Sequence, residues 1–140
     1  MREIGIGVVS LGWMGRLHSA SYQRIPSRFP ELGIRPRLVV AADPIEENQK
    51  AAVEQFGFER AVASIDEVLA DPEVEAISIC SPNFLHRDFA VKAAAAGKPF
   101  WIEKPMGVSA EQSREIRDAA AAARGGAGIA TAVGFNYRHA

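Results

Sequence analysis

Short apolar, β-rich runs alternate along this chain with segments whose apolar residues recur at helical spacing, the rhythm of βαβ units and a parallel sheet. Ile4–Val9 is the first run. Ser10-Leu11-Gly12-Trp13-Met14-Gly15 leads from it into a helix reaching about Ile25, with Met14, Leu17, Ser21 and Ile25 on one face. Pro26, Pro30 and Pro36 around Gly33 predict an irregular loop. Leu38–Ala42 reads as the second strand, ending at Asp43. Pro44 suits the first turn of the next helix, where a missing N–H costs nothing. That helix carries Ile45, Ala52 and Phe56 on one side and stops at Gly57.

A weak third strand covers about Ala61–Ala63, and the Ser64-to-Glu67 capping box opens a short helix with Val68 and Leu69 inward, ended by Asp71-Pro72. Ala76–Cys80 is the fourth strand; Ser78 alone interrupts its apolar character, as expected where helices cover both faces. After the turn Ser81-Pro82-Asn83, a helix from about Leu85 to Ala96 spaces Leu85, Phe89 and Ala93 four apart, and Gly97 and Pro99 close it. Phe100–Glu103 is the fifth strand, Ser109 and Gln112 cap a helix reaching Arg124 before Gly125-Gly126, and Ala130–Phe135 is the sixth strand. The predicted fold class is α/β, a doubly wound Rossmann fold with a mainly parallel sheet of about six strands.

A length of 140 residues matches one domain. With 48% apolar and 24% charged residues, disordered and collagen-like classes are excluded. The net charge of −1 and the scattered Lys and Arg residues exclude a basic field for nucleic acid or an anionic membrane. Cys80 is the single cysteine, so no intramolecular disulfide or cysteine metal cluster forms, and a reducing compartment is expected. The first apolar run, broken by Gly5 and Gly7, is too short for a signal peptide or a membrane span, so the expected location is cytoplasmic. The histidines have no paired spacing, and no metal site is predicted.

The chemistry starts at the first strand–helix turn. A dinucleotide needs backbone N–H groups and a helix N-terminus facing its diphosphate, and glycines let the backbone approach. In the Gly-x-Gly-x-x-Gly fingerprint the three positions are Ser10, Gly12 and Gly15; the serine is a departure that trades turn freedom for a hydroxyl. Trp13 and Met14 supply the intervening amides. Asp43, at the end of strand two, is placed to accept hydrogen bonds from adenosine ribose hydroxyls, and equally to cap the next helix. It lies farther from the turn than the usual about 20 residues, an excess the proline-rich loop explains. No arginine directly follows Asp43, which favours NAD and leaves NADP possible.

Gly97-Lys98-Pro99-Phe100-Trp101-Ile102-Glu103-Lys104-Pro105 resembles the strand and Glu-Lys-Pro motif of the Gfo/Idh/MocA oxidoreductases. The segments Gly12 to His18, Ser81 to His86 and Gly134 to Arg138 agree with that family in order along the whole chain. The resemblance implies a cofactor domain over residues 1–140, with an α/β substrate domain beyond residue 140. It implies hydride transfer between NAD(P) and a sugar, polyol or sugar derivative, and association of the full-length protein into homo-oligomers. By the same resemblance Lys104 is the catalytic residue, its ammonium bonding the reacting hydroxyl. Glu103 contacts the nicotinamide ribose or orients Lys104, and Pro105 sits on a peptide bond that is trans by base rate and cis if it aims the lysine. Ser81, Pro82 and Asn83 pass over the cofactor's middle, and Asn136 is a further contact. His86 either faces the cleft or only opens its helix. His18 reads as a packing or solvated residue, and Cys80 as a buried inert thiol.

Two other classes stand beside this one. A non-catalytic dinucleotide-binding or sensor domain would keep the turn and Asp43 without turnover. An S-adenosylmethionine-dependent methyltransferase shares the Gly-rich turn and acidic strand end, but the Glu-Lys-Pro motif speaks against it.

Overall fold

In the computed structural model, which describes residues 1–138, runs that are apolar at successive positions form strands covered on both faces. These are β1 (Arg2–Val9), β2 (Ile34–Ala42), β3 (Arg60–Val62), β4 (Ala76–Ile79), β5 (Phe100–Ile102) and β6 (Thr131–Val133). They make one six-stranded sheet in the order β3-β2-β1-β4-β5-β6, with every neighbouring pair parallel. Helices α1 (Trp13–Arg28) and α2 (Glu46–Phe56) bury Ile6, Val8, Leu11, Leu38 and Ala52 with Phe58 on one face. Helices α3 (Ile65–Ala70), α4 (His86–Ala95) and α5 (Ala110–Ala122) cover the other, where Val68, Ala93, Ile116 and Ala120 pack on Ile77, Ile79 and Ile102. The chain runs outward from β1 to β2 and β3, then returns to lay β4 on β1's other side. That reversal opens a crevice at the C-terminal ends of β1 and β4, where such sheets hold ligands.

The largest departure from the sequence reading lies between residues 26 and 37. Helix α1 runs through Pro26 to Arg28, because a proline near a helix end removes one hydrogen bond while the next, from the Phe29 N–H to the Ile25 carbonyl, still forms at 2.9 Å. A short 3-10 turn, Pro30–Leu32, and a left-handed Gly33 then reverse the chain, and β2 starts at Ile34 rather than Leu38. Pro36 pairs with Ile4 of β1, while β3 reaches only Val40–Ala42. The proline therefore stands where β2 has no partner on its outer flank.

Smaller differences have local causes. Pro44 lies outside α2, whose N-cap is Ile45, 57% exposed; the buried residues of that helix are Ala51 and Ala52. Asn83–Leu85 is a 3-10 turn, and α4 begins at His86. Helix α5 stops at Ala122, followed by a turn in which Gly125 is left-handed. β6 is only Thr131–Val133, because β5 offers three partners. Both predicted N-cap serines cap their helices without the reciprocal half of a capping box: Ser64 accepts from the Asp66 N–H rather than that of Glu67, and Ser109 accepts from the Gln112 N–H while Gln112 Oε1 accepts from the Val108 N–H. Among the described residues no helix is long and apolar enough to cross a membrane.

Candidate functional site

Residues 10 to 15 turn sharply where β1 meets α1. Ser10 takes the left-handed conformation, φ 72°, that glycine usually supplies at this position. A non-glycine residue there costs about 1 kcal/mol. The two glycines of the turn do different things. A Cβ on Gly15 would stand 1.8 Å from the Ser10 carbonyl oxygen, so Gly15 lets the helix press against the turn. A Cβ on Gly12 would meet only the Ser10 hydroxyl oxygen, at 3.9 Å, leaving the space above Gly12 open. No side chain caps α1 and no acidic residue lies in its first turn. Its first amides therefore face that space with the positive end of the helix dipole behind them, which suits an anion.

Asp43 is tied into this turn. It is 4% exposed; its Oδ2 accepts from the Leu11 N–H at 2.7 Å and its Oδ1 from the Ile45 N–H at 2.9 Å. The carboxylate thus fastens the turn to the end of β2 and shapes the entry to α2 without being its N-cap. A carboxylate has about four acceptor positions, so two remain for a diol. Glu46 and Glu47, exposed in the first turn of α2, add negative charge beside it.

The C-terminal ends of β1, β4 and β5 lie side by side, Val9 pairing with Ile79 and Ile79 with Ile102. A cleft of about 890 Å³ runs along these ends, and Trp13, Met14, Ser81, Glu103, Lys104 and Asn136 all line it. Lys104 is exposed and its peptide bond to Pro105 is cis. Pro82 and Asn83 follow Ser81 in the same turn. Two buried polar atoms there have no protein partner among the described residues, the Ser81 hydroxyl and the Asn83 Oδ1. Buried groups without partners are uncommon in folded proteins and mark places where a ligand completes the bonding.

Of the two readings of His86 the structure has the second, since it is the first residue of α4 and not the cofactor contact also expected of it. His86 is 1% exposed and does not reach the cleft: Nδ1 lies 2.8 Å from the Pro105 carbonyl oxygen and Nε2 2.9 Å from that of Ser81. It lies between the two loops that carry Ser81 and Lys104, and a neutral ring donates to one of the two carbonyl oxygens at a time. His18 is neither solvated nor a simple packing residue, since its Nε2 lies 2.8 Å from Glu103 Oε1, with both side chains nearly buried. Cys80 is buried, and that burial, reinforced by the nearby Glu103 charge, pushes its thiol well above the usual pKa. Tyr22 is raised in the same way, by burial first, against the opposing effect of its hydrogen bond to Ser78.

The stripe of Met14, Leu17, Ser21 and Ile25 turns away from the sheet and forms one wall of the cleft, while Gly15 and Ser19 are the buried residues of α1. Periodicity alone assigns such a stripe to a core. Tyr22, Phe29 and Trp101 also line the cleft and escaped the sequence reading, because nothing in a single sequence distinguishes an aromatic at a cleft wall from one in a core.

An open space over the uncapped amides of α1, a carboxylate at the next strand end and partnerless polar atoms in the turn after β4 together fit a dinucleotide. Comparison with known proteins agrees. The family model described as "Oxidoreductase family, NAD-binding Rossmann fold" matches residues 4–128. Levoglucosan dehydrogenase of Pseudarthrobacter phenanthrenivorans is 33% identical over 141 aligned residues, covering 99% of this chain and 34% of that protein. The NAD(+)-dependent scyllo-inositol 2-dehydrogenase of Bacillus subtilis is 30% identical, with 80% of this chain and 31% of the relative covered. A levoglucosan dehydrogenase structure in complex with NADH superposes with a TM-score of 0.89 at 32% identity, over 98% of this chain and 36% of that one. The chain spans about a third of the length of these relatives. With fold, motifs and family model in agreement over most of its length, the chain belongs to the Gfo/Idh/MocA oxidoreductases, a family with an NAD-binding Rossmann fold.

Proposed function

We propose that this chain binds NAD(H) and forms the cofactor-binding part of a dehydrogenase acting on a sugar, polyol or sugar derivative, with residues outside the chain completing the substrate site. The observation that carries the reading is that the uncapped start of α1 and the Lys104 side chain open into one cleft. The diphosphate then lies over Gly12, against the amides of Trp13 and Met14. Asp43 meets the adenosine ribose, and its charge, with Glu46 and Glu47, disfavours the 2′-phosphate of NADP. Ser81 and Asn83, beside Pro82, complete their bonding on the cofactor's middle, and Glu103 and Asn136 flank the nicotinamide end.

Bound NAD supplies a hydride acceptor. The protein holds the reacting carbon near it and manages the hydroxyl proton. Lys104 is the group for that proton: its side-chain nitrogen hydrogen-bonds the substrate oxygen, taking the hydroxyl proton as the neutral amine and returning it as the ammonium in the reverse reaction, while His86, lying between the loops, keeps the Lys104 loop against the turn after β4. The similarity to levoglucosan dehydrogenase, solved with NADH and levoglucosan, and to inositol dehydrogenases supports a polyhydroxylated ring as substrate. The full-length protein acts as a homo-oligomer in the cytoplasm.

Titration of the protein with NADH, NADPH and S-adenosylmethionine tests the cofactor half of the proposal. NADH is expected to bind at least tenfold tighter than NADPH, and preferential binding of S-adenosylmethionine would overturn the assignment. In the full-length enzyme, Lys104→Ala is expected to lower turnover at least a hundredfold with NADH affinity little changed. Equal loss of both would make Lys104 a cofactor ligand, and unchanged turnover would remove it from the chemistry.

A further inference from the structure

Glu103 is held by a line of polar side chains to which the proposed chemistry gives no task. On α1, His18 presents Nε2 to Glu103 Oε1 at 2.8 Å and Nδ1 to the Ser78 hydroxyl oxygen at 3.1 Å. Ser78, fully buried on β4, lies in turn 2.7 Å from the Tyr22 hydroxyl. The His18 and Glu103 side chains are 13% and 10% exposed, and the edge of Trp101 closes on the imidazole with ring centroids 6.0 Å apart. A carboxylate only accepts, so Nε2 donates. With a neutral imidazole Nδ1 accepts from the Ser78 O–H, whose oxygen accepts from Tyr22, an arrangement of hydrogens that satisfies all four groups.

The carboxylate is also confined from the other side. A Cβ on Gly134 would stand 2.9 Å from Glu103 Oε1 and 3.1 Å from Oε2, so the backbone after β6 lies close over the carboxylate and a larger residue there would press on it. Glu103 nonetheless lines the cleft beside Lys104. Ser78, in the middle of this line, is fully buried on β4, while Glu103 reaches the place where the nicotinamide half of the cofactor is expected.

We propose that His18 is a positioning residue: by holding one oxygen of Glu103, it presents the carboxylate to the nicotinamide half of a bound dinucleotide, an inference that rests on the function proposed above. A free glutamate must give up rotamer freedom when a ligand binds, whereas one already held by a buried donor has lost it in the folded protein. Removing the donor should therefore weaken ligands that reach Glu103 by about tenfold and leave untouched those that stop short of it.

The test compares NADH with ADP, which carries the adenosine and diphosphate but no nicotinamide ribose. Kd values for both are measured by fluorescence for the unaltered protein and for His18→Ala, His18→Phe and His18→Gln. His18→Ala and His18→Phe are expected to raise the NADH Kd about tenfold with the ADP Kd unchanged within about twofold. His18→Gln, whose amide nitrogen can donate from the position of Nε2, is expected to restore NADH binding to within about threefold. His18→Phe keeps a ring against Trp101, so it decides the matter if the alanine variant fails to fold. Equal weakening of NADH and ADP would reduce His18 to a structural residue, and unchanged NADH affinity in the phenylalanine variant would overturn the proposal outright. If the unaltered protein binds ADP but not NADH, or neither, the dinucleotide reading itself fails and takes this inference with it.

Discussion

The two glycines of the β1–α1 turn should respond to the same substitution in opposite ways. In Gly15→Ala the new methyl would stand 1.8 Å from the Ser10 carbonyl oxygen. A carbon–oxygen contact needs about 3.3 Å, so turn and helix must part by about 1.5 Å. Both are backbone, and overpacking of this kind costs about 3 kcal/mol, or a fall of about 10 °C in Tm for a domain of this size. In Gly12→Ala the methyl meets nothing closer than 3.9 Å, and Gly12 sits at φ −65° and ψ −168°, which alanine adopts freely. The weaker capping by alanine and the smaller entropy of its unfolded chain offset each other to within about 0.5 kcal/mol. The same methyl, however, occupies the space assigned to the diphosphate. Losing one charge-assisted hydrogen bond there costs about 1.5–3 kcal/mol, which raises the NADH Kd about 10- to 100-fold. Thermal melts and titrations followed by quenching of Trp13 separate the two effects. Gly12→Ala with unimpaired NADH binding would refute the placement of the diphosphate, and Gly15→Ala with an unchanged Tm would refute the packing account.

Other consequences are open to measurement. Ser81→Ala removes a buried hydroxyl that has no partner, so stability should hold or rise by up to about 1 kcal/mol while NADH binding weakens three- to tenfold; a loss of stability in urea melts would show that the hydroxyl is bonded in the free protein. Asp43→Asn sets an amide N–H₂ against the Leu11 or Ile45 N–H, which should cost about 1–3 kcal/mol of stability and narrow the preference for NADH over NADPH; unaltered selectivity in paired titrations would leave Asp43 a purely structural tie. Because burial and Glu103 raise the Cys80 pKa, the thiol stays protonated in the fold while it ionises in the unfolded chain above about pH 8.5. Its contribution is therefore complete below that pH and falls by about 1.4 kcal/mol per unit as the pH rises, so Cys80→Ala should flatten the alkaline loss of stability in urea melts, and an identical slope would contradict this.

The sheet was legible because each strand is apolar at consecutive positions and bounded by turn residues: Ile4–Val9, Ala76–Cys80 and Phe100–Glu103 were each placed to within two residues of the observed strands. Prolines misled where their local rule lost to tertiary context. Pro26 sits late enough in α1 to remove a single bond, and Pro36 lies on a flank of β2 without a partner strand. The cleft was legible in its motif residues, since Trp13, Ser81, Glu103, Lys104 and Asn136 each end or follow a strand at one edge of the sheet. What a sequence does not carry is direction across the sheet. The apolar stripe of α1 has helical period whichever way it faces, and only the coordinates turn it toward the cleft. His18 and Glu103 are 85 residues apart, and no spacing rule joins them.

The central claim is that a dinucleotide lies along the C-terminal edge of the sheet from the β1–α1 turn to Lys104. The most direct measurement is a titration of the isotope-labelled protein with NADH, followed through its backbone amide resonances. The expected shifts are confined to residues 10–16, 43–46, 81–84, 103–106 and 134–137, with ADP moving only the first three groups. Shifts clustered on the exposed faces of α4 and α5, or none at millimolar NADH, would contradict the claim.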